Sequence, residues 1–120
     1  MLNQVNGKGI ILLPVWGGVE EIEVRNIIRI EASSNYSKLH FTNGRTLVVA
    51  KVLRWFEAAL TAHPFCRIHR THLVNKDFVQ QYIQGEGGKV RLQNGDWLTV
   101  SKRRRLRFLE SWHNSSKVTA

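Results

Sequence analysis

The alternation of apolar and polar positions divides the chain into short runs. Residues 20 to 24 (EEIEV) alternate strictly and 27 to 32 (IIRIEA) nearly so, the two-residue period of strands with one face turned inward. The runs 36 to 41 (YSKLHF) and 45 to 50 (RTLVVA) flank Thr42-Asn43-Gly44. Asn-Gly between two such runs predicts a hairpin, because both residues tolerate positive φ. Ahead of them the apolar run IILLPVW, 10 to 16, is also strand-like and suited to covering a sheet edge or making a dimer contact.

The period changes over residues 51 to 62 (KVLRWFEAALTA), where Val52, Phe56, Ala59 and Leu60 share one helical stripe while Arg54 and Glu57 point elsewhere. Pro64 limits that helix. The strand period returns at the start of 65 to 76 (FCRIHRTHLVNK), then at 78 to 84, 89 to 93 and 97 to 100. Gly85-Glu86-Gly87-Gly88 and Asn94-Gly95-Asp96 separate the last three runs, predicting a meander. Residues 101 to 112 (SKRRRLRFLESW) predict a second helix with Ser101 as N-cap and Leu106, Leu109 and Trp112 on one side. From Asn114 the tail is polar and expected to fray. Many short strands with two short helices make a mainly β domain. No repeat of solenoid length and no low-complexity linker divides it.

At 120 residues the chain is one domain that can bury its own core without disulfides or a structural metal. Charge changes the picture most: a net +9 and a pI near 10.5 argue for a polyanionic partner, whether nucleic acid, anionic membrane or acidic protein. Cys66 is the only cysteine, so no internal disulfide forms. The run 10 to 16 is broken by Pro14 and too short to span a bilayer. Lys8 is the only cation ahead of it and Glu20, Glu21 and Glu23 follow, unlike a secretory signal. These features predict a cytoplasmic protein with no membrane segment.

Three places break local rules. Lys102, Arg103, Arg104 and Arg105 crowd the first turn of the second helix, where unpaired N–H groups already carry positive charge. A phosphate there relieves the conflict; a solvated basic patch or a localisation signal has the same composition. In RIHRTHLVN, residues three apart on an extended strand point to opposite faces, which separates His69 from His72 and Cys66 from His69 and argues against a zinc site. If the strand ends near His69, Arg70 opens the following loop, free either to read guanine edges or phosphates or to pair with a surface carboxylate. Lastly, EASSNYSK, 31 to 38, is a polar turn suited to a groove-entering loop and equally to plain solvent.

The order IIRIEASSNYSKLHF, FCRIHRTHLVN, VRLQNGDWLTVSKRR resembles the LytTR family of bacterial DNA-binding domains, the output module of LytR/AlgR-type response regulators of two-component systems. The resemblance spans about Glu20 to Trp112 and joins the three places. It implies an elongated, mainly antiparallel β fold of small sheets with two short helices, whose loops enter successive major grooves of double-stranded DNA. Carried over by position, the resemblance implies base contacts by Ser37, Arg70 and Lys102 and backbone contacts by Asn35, Lys38, Arg103 and Arg104. Binding as a pair, a homodimer on direct repeats, is implied as well, with no cofactor and no metal. His72 stands where the family often has tyrosine, and Lys102 where many members have arginine, making that contact a point donor. The expected division is an N-terminal extension, 1 to 19, the DNA-binding domain, 20 to 113, and the tail, 114 to 120. So short an extension leaves no room for a receiver domain; the chain is either a stand-alone regulator or a piece of a longer one, and Met1 with the run 10 to 16 favours the former.

Two other function classes compete. An RNA-binding β module would use the basic surface with Tyr36, Trp55 or Trp97 exposed, though these rings suit the core better. A hydrolase would use the five histidines, but no nucleophile elbow, paired-acid motif or HExxH run is present, so no catalytic residue is assigned and no enzyme is expected. GEGG, with no helix after it, is a turn and not a nucleotide loop.

Overall fold

Strand pairing explains most of the architecture of the computed structural model, which describes residues 4–115. The elements in chain order are β1 (Ile10–Val15), β2 (Gly18–Glu23), β3 (Ile27–Ser33), β4 (Tyr36–Phe41), β5 (Thr46–Val49), α1 (Leu53–Ala59), β6 (Phe65–His69), β7 (His72–Asn75), β8 (Val79–Ile83), β9 (Lys89–Leu92), β10 (Trp97–Thr99) and α2 (Arg105–Ser115). They form three antiparallel sheets: the hairpin β1-β2, the five-stranded sheet β5-β4-β3-β7-β6 and the meander β10-β9-β8. The mainly β, small-sheet architecture expected from the sequence is therefore what is found, with extents of 44 × 33 × 30 Å.

Two cores sandwich the five-stranded sheet. One joins Ile27, Ile30, Leu39, Phe41 and Leu73 of that sheet to Ile11, Leu13 and Ile22 of the hairpin and to Leu53, Phe56 and Leu60 at α1. The other joins Ile28, Cys66, Ile68 and Val74 to the meander and to Phe108 of α2. The strand period of two puts adjacent residues such as Leu73 and Val74 into different cores. β1, in the segment expected as an extension, pairs with β2 along its length and buries Ile11 and Leu13.

Each helix keeps most of its expected inward stripe, Phe56, Ala59 and Leu60 for the first and Leu109 and Trp112 for the second, and exchanges one member. α1 starts at Leu53, so Val52 lies at the cap position and is exposed, and Leu53, Phe56 and Leu60 point inward. The spacings 53, 56, 60 satisfy the helical period as well as the expected set does. In α2, Leu106 is exposed and Phe108 is fully buried, stacked on Trp112 at 5.7 Å between ring centroids. Lys102–Arg104 form a separate tight turn before α2, and the hydroxyl of Ser101, expected to cap, is buried with no hydrogen-bond partner. Of the tail expected to fray, Asn114 and Ser115 close α2, and residues 116–120 lie outside the described residues. No helix among the described residues is long and apolar enough to cross a membrane.

Candidate nucleic-acid interface

Three segments far apart in sequence end at one edge of the five-stranded sheet. β3 and β7 pair with Glu31 opposite His72, and one residue further the backbone N–H of Ala32 donates to the Thr71 carbonyl at 2.9 Å. The turn Ser34-Asn35, which joins β3 to β4, therefore lies beside the turn Arg70-Thr71, which joins β6 to β7. The N–H of Ser101 donates to the Ile68 carbonyl at 2.8 Å, bringing Lys102–Arg104 to the same place.

Charge at this edge is one-sided. Asn35, Arg70, Lys102 and Arg103 are exposed, and Lys38 and Arg104 are half-buried. Among the described residues none of these cations pairs with a carboxylate. The arginine ion pairs involve other arginines: Arg25 with Glu23, Arg29 with Glu31 and Asp96, Arg45 with Glu20, and, next to this group, Arg67 with Glu57. Arg70 thus has no surface carboxylate to hold it. Burial, followed by the guanidiniums of Arg67 and Arg103, pushes the Arg104 pKa down, as expected of crowded like charges.

Arg107 joins this group without having been expected there. With Arg67 and Arg104 it lines a cavity of about 240 Å³ in which, among the described residues, Glu57 is the only carboxylate. The signal was in the sequence: Arg104 and Arg107 are three apart, one helical turn.

Ser37 is a correction. It is 0% exposed, paired between Ala32 and Val49, and its hydroxyl donates to the Lys51 carbonyl at 2.6 Å. That places it on the core face of β4 with Leu39 and Phe41, so its hydroxyl is turned toward the interior beneath the turn. The exposed residues of the first turn are Ser33, Ser34, Asn35 and Tyr36.

His69 and His72, which strand parity places on opposite faces, come together because the chain reverses between them. The two residues pair across the hairpin with ring centroids 5.6 Å apart. His69 Nδ1 accepts from the Thr71 N–H at 3.1 Å and lies 2.9 Å from the Thr71 hydroxyl. Among the described residues no group of three His, Cys, Asp or Glu side chains is placed to hold a metal ion. Burial pushes the Cys66 thiol up, away from reactivity.

A polar layer runs behind the edge on the other face of β4. Arg29 bonds Asp96 of the β9-β10 turn at 3.0 Å and Glu31 at 3.4 Å, and His40 Nε2 lies 2.9 Å from Glu31. Burial works to raise the Asp96 carboxyl, but hydrogen bonds from Asn94 and Arg29 outweigh it and leave it low. This bond ties the meander to the central sheet.

The model of the LytTr DNA-binding domain family matches residues 17–113. Among solved structures, a LytTr DNA-binding domain from Bacillus cereus is similar with a TM-score of 0.73 at 20% identity, covering 88% of this chain and 97% of that one, a likeness that speaks for the fold alone. No curated relative matches the sequence.

Proposed function

Because the chain belongs to the LytTR family of DNA-binding domains, we propose that it is a transcription regulator that recognises a specific duplex sequence through the sheet edge just described. The observation that carries this reading is the meeting of three segments at which, among the described residues, Lys38, Arg70, Lys102, Arg103 and Arg104 have no carboxylate partner. A surface left unneutralised by its own protein is completed by phosphates, with release of counterions and a steep dependence on salt.

Within that surface the roles divide by chemistry. Arg70, exposed at the tip of its turn, carries a planar fork suited to the O6 and N7 of guanine in a major groove. Lys102 contributes a single-point contact at a flanking base. With Ser37 enclosed, the contact of the first turn passes to Ser34 and Asn35. Lys38, Arg103, Arg104 and Arg107 neutralise phosphates and set the register. The protein acts in the cytoplasm and binds in pairs on direct repeats, each copy placing its loops in successive major grooves.

The RNA-binding alternative draws on Tyr36 and Trp97, both half-exposed, but Tyr36 lies on the central sheet and Trp97 on the meander, and Lys51 covers Trp55 at 5.0 Å from the ring centroid. A stacking platform needs rings on one surface. The test is selection of bound sequences from random duplexes, expected to recover a repeated motif. Arg70→Ala then lowers affinity for that motif by about 1–3 kcal/mol and relaxes preference at one base position. Equal weakening on selected and random DNA would contradict the role of Arg70, and displacement of the selected duplex by single-stranded RNA at matched salt would favour the alternative.

A further inference from the structure

A reading arginine discriminates between bases only while the backbone beneath it is held still, because a bidentate contact with guanine depends on the angle of approach. The turn that carries Arg70 is Arg-Thr, with neither glycine nor proline to set its shape, so other groups have to set it. His69 and Ala32 hold Thr71, and the residues ahead of it are held by Arg67. Its Nε donates to the His69 carbonyl at 3.0 Å and its Nη2 to the Arg70 carbonyl at 2.5 Å. The third nitrogen, Nη1, donates to Glu57 Oε1 on α1 at 2.8 Å. The Arg67 side chain is 15% exposed. A register shift between Arg67 and His69 interrupts the β6-β7 ladder at this point, a kind of irregularity that redirects neighbouring side chains.

We propose that Arg67 is a positioning residue for sequence readout and that Glu57 is its anchor. One planar guanidinium holds the two successive carbonyls that lead into and out of the reading position, and the carboxylate on α1 fixes the plane of that fork. The pair also keeps Arg70 available. Among the described residues Glu57 is the only carboxylate lining the adjoining cavity, and its Oε1 is taken by Arg67 and not by Arg70. Lysine at 67 would keep the charge but, as a point donor, would not span three acceptors in a plane.

This inference rests on Arg70 being a base contact, and the experiment separates the two. Arg67→Lys, Glu57→Gln and Arg70→Ala are titrated against the selected duplex, against duplexes altered at the base that Arg70 reads, and against random duplex, with thermal melting in parallel. Arg67→Lys is expected to lower discrimination at that one base by about tenfold and Glu57→Gln by about threefold, with binding to random duplex and its salt slope within about twofold of wild type. In the Arg70→Ala background Arg67→Lys removes no further discrimination. A uniform loss on every duplex, unchanged discrimination, or a further loss in that background overturns the inference. If Arg67→Lys does not fold, Glu57→Gln, whose side chain is 41% exposed, decides the matter alone. If Arg70→Ala keeps its base preference, the reading of Arg70 fails and the inference with it; if Arg70→Ala relaxes that preference while the other two variants keep theirs, only the inference fails.

Discussion

The two hairpin turns at the sheet edge, Ser34-Asn35 and Arg70-Thr71, sit side by side and are built in opposite ways. Around Arg70, the carbonyls of residues 69, 70 and 71 are taken by Arg67, Arg67 and Ala32, and the Thr71 N–H by His69. Around Asn35 the support is below the tip, where Ser37 is fixed to Lys51; among the described residues the side chains of Ser33, Ser34 and Asn35 make no hydrogen bond. Ser34 moreover adopts φ 57°, a left-handed conformation that costs a non-glycine residue about 1 kcal/mol. A turn held from all sides suits a contact that must discriminate by angle, and one held only at its base suits a contact that adapts.

The largest effect that bears on this contrast is expected from Ser37→Asp, which buries a charge beneath the softer turn and costs more than about 3 kcal/mol in a urea titration. Asn35→Asp, at the tip of the same turn, is expected to leave stability within about 0.5 kcal/mol and to weaken DNA binding. Equal stability of the two variants would mean that Ser37 is not enclosed.

Beneath the firmer turn, burial, then Arg29 and His69, push the His72 pKa down from 6.5 to about 4, with Glu31 opposing and His40 adding to the shift. His72 is therefore neutral in the fold, while the unfolded chain takes up a proton below about pH 6.5. The stability this contributes is complete above that pH and is lost as pH falls toward 4, on the order of 2 kcal/mol after allowance for partial exposure. His72→Phe is expected to flatten this limb between pH 7 and 5, measured as the difference in melting from wild type. Parallel curves would remove His72 as the cause.

Arg104→Ala and Arg107→Ala are each expected to weaken binding alike on selected and random duplexes and to shrink the salt slope by about 0.9, in contrast to the base-specific loss at Arg70. An unchanged slope would rule out a phosphate contact at that residue. The smallest effect is expected from Ser34→Gly, a gain of about 0.5 kcal/mol from relief of the positive φ, partly offset by a more flexible unfolded chain. A net loss would show that the serine conformation is not strained.

Much of the molecule was legible in its sequence. The Asn43-Gly44 hairpin and the meander lie where strand period and turn chemistry predict them. The errors have identifiable causes. Ser37 shares parity with Leu39 and Phe41 in YSKLHF, so strand alternation alone places it inward. Strand parity does not relate His69 to His72, because Arg70-Thr71 reverses the chain between them. In α1 two stripes fit the helical period, and the true one depended on where the helix begins. Ser101 matches a cap in composition, yet its backbone is drawn to Ile68 and its hydroxyl faces inward without a partner.

What the sequence determined by itself is local: the strand runs, the turns, the two helices and an excess of cations. These follow from side-chain period and backbone preference, which act over a few residues. Only the tertiary structure decided which chain reversals share an edge, that Ser37 lies inside and Arg70 outside, and that Arg67 is held by a carboxylate on α1. Those outcomes depend on hydrogen bonds such as Ala32 to Thr71 and Ser101 to Ile68, which join residues more than thirty positions apart and which no local period encodes.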